Sequence, residues 1–547
     1  MDWYGELQHT MPELIRRAAR LSADDLFVVG EDGRSLTFRQ FEQAVETAAR
    51  AFLARDIEIG DRVAIWAPNS SGWIVAACAI EMIGAVMVPI NTRFRGGEAG
   101  YILAKSRAKL LWTAGTFLEN DYVAMLQQAL GGTTAERPVD GLPDLQAILL
   151  IEPNAQREGT LSWSEFLQHV APADNLLLRE RAVRPDTICD ILFTSGTTGQ
   201  PKGAMHAHGQ ALWMVGMWNR SNNLQRGDRA LIVNPFFHSF GYRSGWVSAL
   251  LAGMTVYPMA VFDTDAMLRQ IEASRVSVLM GPPTIFYALL DHPRRADFDL
   301  SSLRVGHTGS ANVPVDLIAR AREELGFEIF LTSYGLTEAT ALVTVNYPED
   351  DFETIARTVG RALPDTELKI IAPDGRSLPA GEPGELLVRG PNVMQGYFED
   401  PEATAAAINA NGWLHTGDVG MLDEGGLLRI LDRLKEVVIV GGFNVYPAEV
   451  ENILRSHPAI SEVAIIAIPD DRMGEVCGAC VVLREGKALD LACLNVWARD
   501  RMANFKMPRH LFVRNSFPRT PLGKVQKFLL KQEAQSELKA RRCSDAS

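Results

Sequence analysis

The chain has 547 residues, of which 47% are hydrophobic and 22% charged, enough for three to four units at about 150 residues per domain. Its 67 acidic and 54 basic residues leave a formal net charge of −13, which excludes a broadly basic footprint for nucleic acid or anionic lipid and leaves room only for local basic pockets. Cys78, Cys189, Cys477, Cys480, Cys493 and Cys543 are too sparse for a disulfide scaffold, and MDWYGELQHTMPELIRRAAR lacks the basic-then-apolar order of a secretory signal. A globular, cytoplasmic chain is expected.

The first strong element lies over 36 to 54, where Thr37 and Gln40 form a capping pair and Phe38, Phe41, Val45, Ala48 and Phe52 recur at helical spacing. A short apolar strand, Val63 to Trp66, follows. Residues 71 to 90, SGWIVAACAIEMIGAVMVPI, could be taken for a membrane span, but Glu81 at the centre costs about 2.5 to 3.5 kcal/mol at mid-bilayer, and Gly84 and Pro89 interrupt the run. A buried helix over 72–82 and a strand over 85–89 are predicted instead. Strand 109–113, helix 264–273 and strand 276–280 continue the alternation, which implies parallel sheets covered on both faces. From about 365 the DG and GEPGE turns between apolar runs read as a small β subdomain. A boundary near Asp432 and Lys435 divides the chain into 1–432 and 433–547.

The stretch ILFTSGTTGQPKGAMHAHG, 191 to 209, carries the strongest local chemistry. An apolar strand enters a loop, 195 to 203, of glycines and hydroxyls with one lysine, Lys202. Such a loop suits polyphosphate: glycines let backbone amides converge on an anion, hydroxyls donate further hydrogen bonds, and the lysine adds charge. The Walker spacing is not met. His206 and His208 form an H-x-H without a third ligand nearby in sequence, and Cys477 and Cys480 form a C-x-x-C in a strand-like segment without a second pair, so both read as packing residues and not as metal sites.

SGTTGQPKG resembles the phosphate loop of the adenylate-forming superfamily, which includes acyl-CoA and aryl-CoA synthetases, peptide-synthetase adenylation domains and firefly-type luciferases. Six further segments resemble the same family in order: NPFFHSFG (234–241), YGLTE (334–338), GWLHTGD (412–418), DRLKE (432–436), GGFNVYPAEVE (441–451) and PLGKVQK (521–527). The resemblance spans essentially the whole chain. It implies an α/β fold with a large N-terminal body of two parallel-sheet subdomains and a small β-barrel, followed by a small mobile α+β C-terminal domain. It also implies ATP, Mg2+ and coenzyme A as reaction partners of a small carboxylic acid, with homo-oligomerisation left open.

The resemblance implies residue roles as well. Thr194, Ser195, Gly196, Thr197, Thr198, Gly199 and Lys202 would hold the phosphates, and Thr198 and Glu338 the magnesium. Ser310, Ala311, Ser333, Tyr334, Gly335, Thr337, Asp418 and Arg433 would surround the nucleotide. Adenylation brings two anions together at the α-phosphorus, so charge screening is its first requirement. Lys524 is expected to bridge acid and phosphate, and Lys435 to be the hinge about which the small domain turns to present Gly441, Gly442 and Phe443 to CoA.

His238 is expected as a gate between acid and CoA channels, and no clearer general base for the thiol is visible. Together with Phe240, Tyr242, Arg243 and Gly309 it should line the acid pocket, and aromatics with one cation suggest a ring-bearing acid with a polar substituent. NPFFHSFGYRSG and GPPTIFYALLDHPRRADFDLSSLR look like the bacterial steroid-degradation ligases that activate an indanedione propanoate, although Arg243 stands where lysine is expected in that group. Fatty-acid and aryl-acid ligases are the alternatives, with a luciferase-like oxygenase or an inactive paralogue as different classes.

Overall fold

The computed structural model describes residues 9–133, 137–152, 157–194, 200–309, 313–441, 443–470, 472–499, 501–519 and 524–545, and the architecture below refers to these. Helix α1 (Phe38–Leu53) begins at Thr37, whose side chain accepts from the Gln40 amide while the Gln40 side chain accepts from the Thr37 amide. Helix α2 (Ser71–Met82) starts from the Ser70 cap and is apolar all round because it is buried on every side from Trp73 onward. Trp73 packs on Phe236, Tyr242 and Trp246, which come from the other half of the body. The apolar segment 71–90 is thus the core helix and strand, Val86–Pro89, that its sequence predicts. Among the described residues no helix is long and apolar enough to cross a membrane.

Two large sheets form the body. The eight-stranded one has parallel pairing through its interior, Val86–Pro89, Arg62–Trp66, Leu110–Thr113 and Ala147–Leu150, and one antiparallel margin. That margin is strand β1 (Ile188–Thr194), β2 (Lys202–Ala207), and the short strand Gly396–Tyr397 added outside them. After β2 comes helix α3 (His208–Ser221). The nine-stranded sheet is parallel from Thr255–Pro258 through Arg229–Ile232 and Val278–Gly281 to β3 (Val305–Thr308) and β4 (Ile329–Tyr334). Its margins are antiparallel. The alternating pattern therefore predicts the sheet interiors, whose strands need helical crossovers, while the edges are built from hairpins.

After residue 365 the chain forms a four-stranded antiparallel sheet ending in β5 (Leu414–Leu422) and β6 (Leu428–Arg433). Its first and last strands do not pair in the described residues, so it is an open sheet where a small barrel is expected from the sequence. The C-terminal part has its own sheet around β7 (Gly474–Leu483) and its own apolar clusters. Cys477 and Cys480, an odd number of positions apart, fall on opposite faces of β7 and into different clusters. They pack as core residues and do not face each other.

Candidate active site

The phosphate-type loop is the tip of a hairpin. Thr194 ends β1 directly opposite Lys202, which begins β2, so both ends of the loop are pinned one strand spacing apart. Ser195, Gly196, Thr197, Thr198 and Gly199 lie outside the described residues, as do Ser310, Ala311 and Gly442. The edge strand Gly396–Tyr397 brings the Tyr397 ring to 5.4 Å from the Lys202 ammonium. The Tyr397 hydroxyl donates to Glu338 Oε1 at 3.0 Å, and Thr194 Oγ1 donates to the same oxygen at 3.1 Å. Tyr397 is absent from the residues expected in sequence, because its partner is 59 positions away, in a turn after a strand of the other large sheet.

β4 delivers Ser333 and Tyr334 and ends in the turn that carries Thr337 and Glu338. The Glu338 carbonyl accepts from the Met394 amide at 2.9 Å. Gly335 is required by space: a Cβ there would lie 1.8 Å from the Ala341 carbonyl oxygen. Beneath Ser333, buried His307 bridges Ser333 Oγ and Asn222 Oδ1 at 2.8 and 2.7 Å. Gly309 follows β3 beside the Ser333 carbonyl.

Asp418 lies on β5, almost wholly buried, and its oxygens are taken by the Tyr334 hydroxyl and by Arg433 Nε at 2.7 Å. Burial raises its pKa, with the Arg433 charge opposing. Lys524 is exposed and lies within electrostatic reach of Asp418, Arg433 and His238. The surrounding protein, then Arg433, lowers its ammonium pKa, while Asp418 and Glu436 pull the other way. Burial, and then Lys524, lower the His238 pKa to about 4. His238 Nδ1 accepts from the Phe240 amide at 3.2 Å, so the neutral ring carries its proton on Nε2 and is no ready base there.

A single carboxylate, Glu338, with a hydroxyl on either side suits Mg2+ held jointly with phosphate oxygens. Among the described residues no group of three or more His, Cys, Asp or Glu forms an all-protein metal cage. Residues distant in sequence thus converge here: Thr194, Lys202, Thr337, Glu338 and Tyr397 on one side, and Tyr334, Asp418, Arg433, Lys524 and His238 on the other. Gly441 and Phe443 do not join them. Phe443 is 60% exposed and stacked on Phe505 at 4.9 Å.

Two expected acid-pocket residues are corrected. Tyr242 is buried with its hydroxyl on Glu81, and Arg243 is fully buried with Nη2 donating to Asp190 Oδ2 at 2.5 Å. The reason is local: Tyr242–Val247 is a π-helical turn, whose extra residue per turn changes which side chains face inward. Arg243 therefore offers no cation to an acid, and the argument from it for a polar substituent falls. Phe240 remains half-buried, edge-on to Trp218 and near His307.

His206, which the sequence reads as a packing residue, also joins two elements of the site. It lies opposite Asp190 across the hairpin, with Nδ1 2.8 Å from Asp190 Oδ1 and Nε2 2.8 Å from the Thr337 carbonyl oxygen. Burial works to raise the Asp190 pKa, but Arg243 and His206 overcome it and hold the carboxyl well below the usual range. Burial and Arg243 push His206 toward its neutral form and Asp190 pulls against them.

The AMP-binding enzyme family profile matches residues 15–398, and the AMP-binding enzyme C-terminal domain profile matches 449–524. The 3-[(3aS,4S,7aS)-7a-methyl-1,5-dioxo-octahydro-1H-inden-4-yl]propanoyl:CoA ligase of Mycobacterium tuberculosis is 46% identical over 524 residues, covering 96% of this chain and 98% of its own. The ligase of the same name from Rhodococcus jostii is 44% identical over 529 residues, with 96% and 98% covered. Among solved structures, the anthranilate CoA ligase AuaEII in complex with anthranoyl-AMP matches with a TM-score of 0.84 at 25% identity, covering 97% of this chain and 98% of that one.

Proposed function

The chain belongs to the AMP-binding enzyme family and is an AMP-forming acyl-CoA ligase that uses ATP, Mg2+ and CoA, and from this premise we propose that its acid is a ring-bearing propanoate with ketone oxygens, of the kind named in its two relatives. The observation that carries this reading is identity of 44 to 46% sustained over nearly the whole length of both relatives. A cytoplasmic location belongs to the same proposal, as the compartment that supplies ATP and CoA and keeps thiols such as Cys78, Cys189, Cys477 and Cys480 reduced.

The site roles follow from the geometry as proposals. The hairpin loop and Lys202 bind the outer phosphates, and Asp418 with Arg433 receives the ribose against the Tyr334 ring. Glu338 would hold Mg2+, which when bound neutralises phosphate charge. Lys524 orients the carboxylate against the α-phosphorus and screens the approach of the two anions, a charge set in place before reaction and so requiring little reorganisation during it. The carboxylate oxygen attacks, pyrophosphate leaves, and acyl-AMP remains. In the second half-reaction the CoA thiolate attacks the acyl carbonyl and AMP leaves with its electron pair. The exposure of Phe443 alongside a docked Lys524 supports a posture for the first reaction, with 1–432 as the body and 433–547 as the mobile domain turning at Lys435 for the second.

Two measurements test this. Across ring-bearing propanoates, C8 to C16 fatty acids and cinnamates, kcat/KM should be highest for the propanoates; a fatty-acid preference would overturn the substrate reading. Lys524→Ala should slow adenylation by a hundred- to a thousandfold, about 2.7 to 4 kcal/mol, while CoA acylation from supplied acyl-AMP persists. Equal loss of both half-reactions would contradict the two-posture scheme.

A further inference from the structure

We propose that His206 is a positioning residue for adenylation, holding the Thr337–Glu338 turn at a fixed distance from the phosphate hairpin through its bond to the Thr337 carbonyl. The inference rests on the nucleotide-side reading of Thr337 and Glu338 given above.

His206 sits on β2, the strand leaving the phosphate loop, and its partner Asp190 sits on β1, the strand entering it. Both side chains are fully buried, as is Arg243, whose Nη2 donates to the second Asp190 oxygen. The ring is therefore gripped at Nδ1 by a carboxylate that is itself fixed, and the opposite nitrogen meets a carbonyl 131 positions away in sequence, in the turn that follows β4 of the other large sheet. That carbonyl also accepts from the Thr340 amide at 3.0 Å within the turn. It belongs to the peptide unit whose N–H is that of Glu338. Fixing this plane fixes the start of the Glu338 side chain, and Thr194 on the same hairpin holds its carboxylate end. A hydrophobic residue of similar size would fill the space but leave the turn to find its own distance. A buried ring held at both nitrogens positions more rigidly than packing alone.

The test compares His206→Leu with His206→Gln, whose amide retains one donor, in ATP–pyrophosphate exchange and in CoA acylation from supplied acyl-AMP. The leucine variant should raise KM for MgATP, or lower kcat for exchange, so that kcat/KM falls ten- to a hundredfold, the scale of a lost hydrogen bond to a charged group. It should shift the Mg2+ requirement upward while leaving KM for the acid and the CoA step within about threefold. The glutamine variant should recover part of the loss. Unchanged exchange kinetics in the leucine variant, or an equal fall in every parameter of both variants accompanied by a lowered melting temperature, would overturn the proposal. Glu338→Ala is the control for the underlying reading: if it leaves the MgATP dependence intact, the nucleotide assignment fails whatever His206 does.

Discussion

Glu81 is a carboxyl without a compensating cation in direct contact, placed in the middle of a buried helix. Burial pushes its pKa up to about 8 against the hydrogen bond from Tyr242, and Oε2 has no partner in the described structure. The folded protein therefore keeps a proton that the unfolded chain releases near pH 4.5. Stability is fully present below that pH, declines as pH rises toward about 8, and levels off beyond it. Glu81→Gln keeps a neutral acceptor for Tyr242 and should remove this decline, leaving the variant more stable at pH 8 by on the order of 3 to 5 kcal/mol and converging with the natural protein near pH 4. Melting temperatures across pH 4 to 9 measure it, and parallel curves would refute it. Glu81 as a buried, non-membrane acid is legible from its flanking apolar run. The direction of Arg243 is not, because a π turn breaks the helical spacing on which such a reading depends, and its partner Asp190 is 53 positions away.

At the scale of elements, the phosphate hairpin and the end of β4 matter most. Loop composition alone marks the hairpin tip, since glycines and hydroxyls next to one lysine have few uses other than anion binding. What sequence does not disclose is how the tip is coupled to the turn after β4. The contacts that do so, from Thr194, His206 and Tyr397, join residues separated by 59 to 144 positions and follow only once both large sheets are assembled. The turn itself tolerates no side chain at Gly335, whose added Cβ would overlap backbone atoms of Ala341 and Leu342. Backbone cannot rotate away as a flexible side chain could. Gly335→Ala should therefore displace Tyr334 and Glu338 and reduce adenylation by about a hundredfold, the scale expected for a misplacement near 1 Å. Pyrophosphate exchange by a variant confirmed as folded by circular dichroism checks it, and near-natural exchange would show that the turn can relax.

Over the whole molecule, one short turn joins β6 to the C-terminal sheet. Lys435 sits exposed in that turn, between Arg433, which reaches Asp418, and Glu436, which pairs with Lys527 at 3.0 Å. Lys527 also pairs with Glu451 at 2.8 Å, so the far side of the turn is tied into the C-terminal part, while on the near side Arg433 reaches the body and Asp432 accepts from the Ala448 amide at 2.8 Å. Motion concentrated at Lys435 would keep the Arg433–Asp418 and Lys527 ion pairs and would exchange the Asp432–Ala448 bond. Lys435→Pro, which fixes φ near −65°, should preserve adenylation and depress CoA acylation at least tenfold, a split read from the two half-reactions separately; equal rates in both would place the pivot elsewhere. The seven ordered motifs make the two-part organisation legible, whereas the ion pairs around Lys527 depend on tertiary placement.

The open face around Ile439 and Phe443, 53% and 60% exposed, also bears on how the protein behaves in a tube. In the two-posture scheme this apolar facet faces water whenever Lys524 is docked and is covered when the C-terminal domain turns to receive CoA. On that scheme adhesiveness would vary through the catalytic cycle: enzyme supplied with ATP and acid but starved of CoA should be its stickiest form, and added CoA should act as a solubilising agent as well as a substrate.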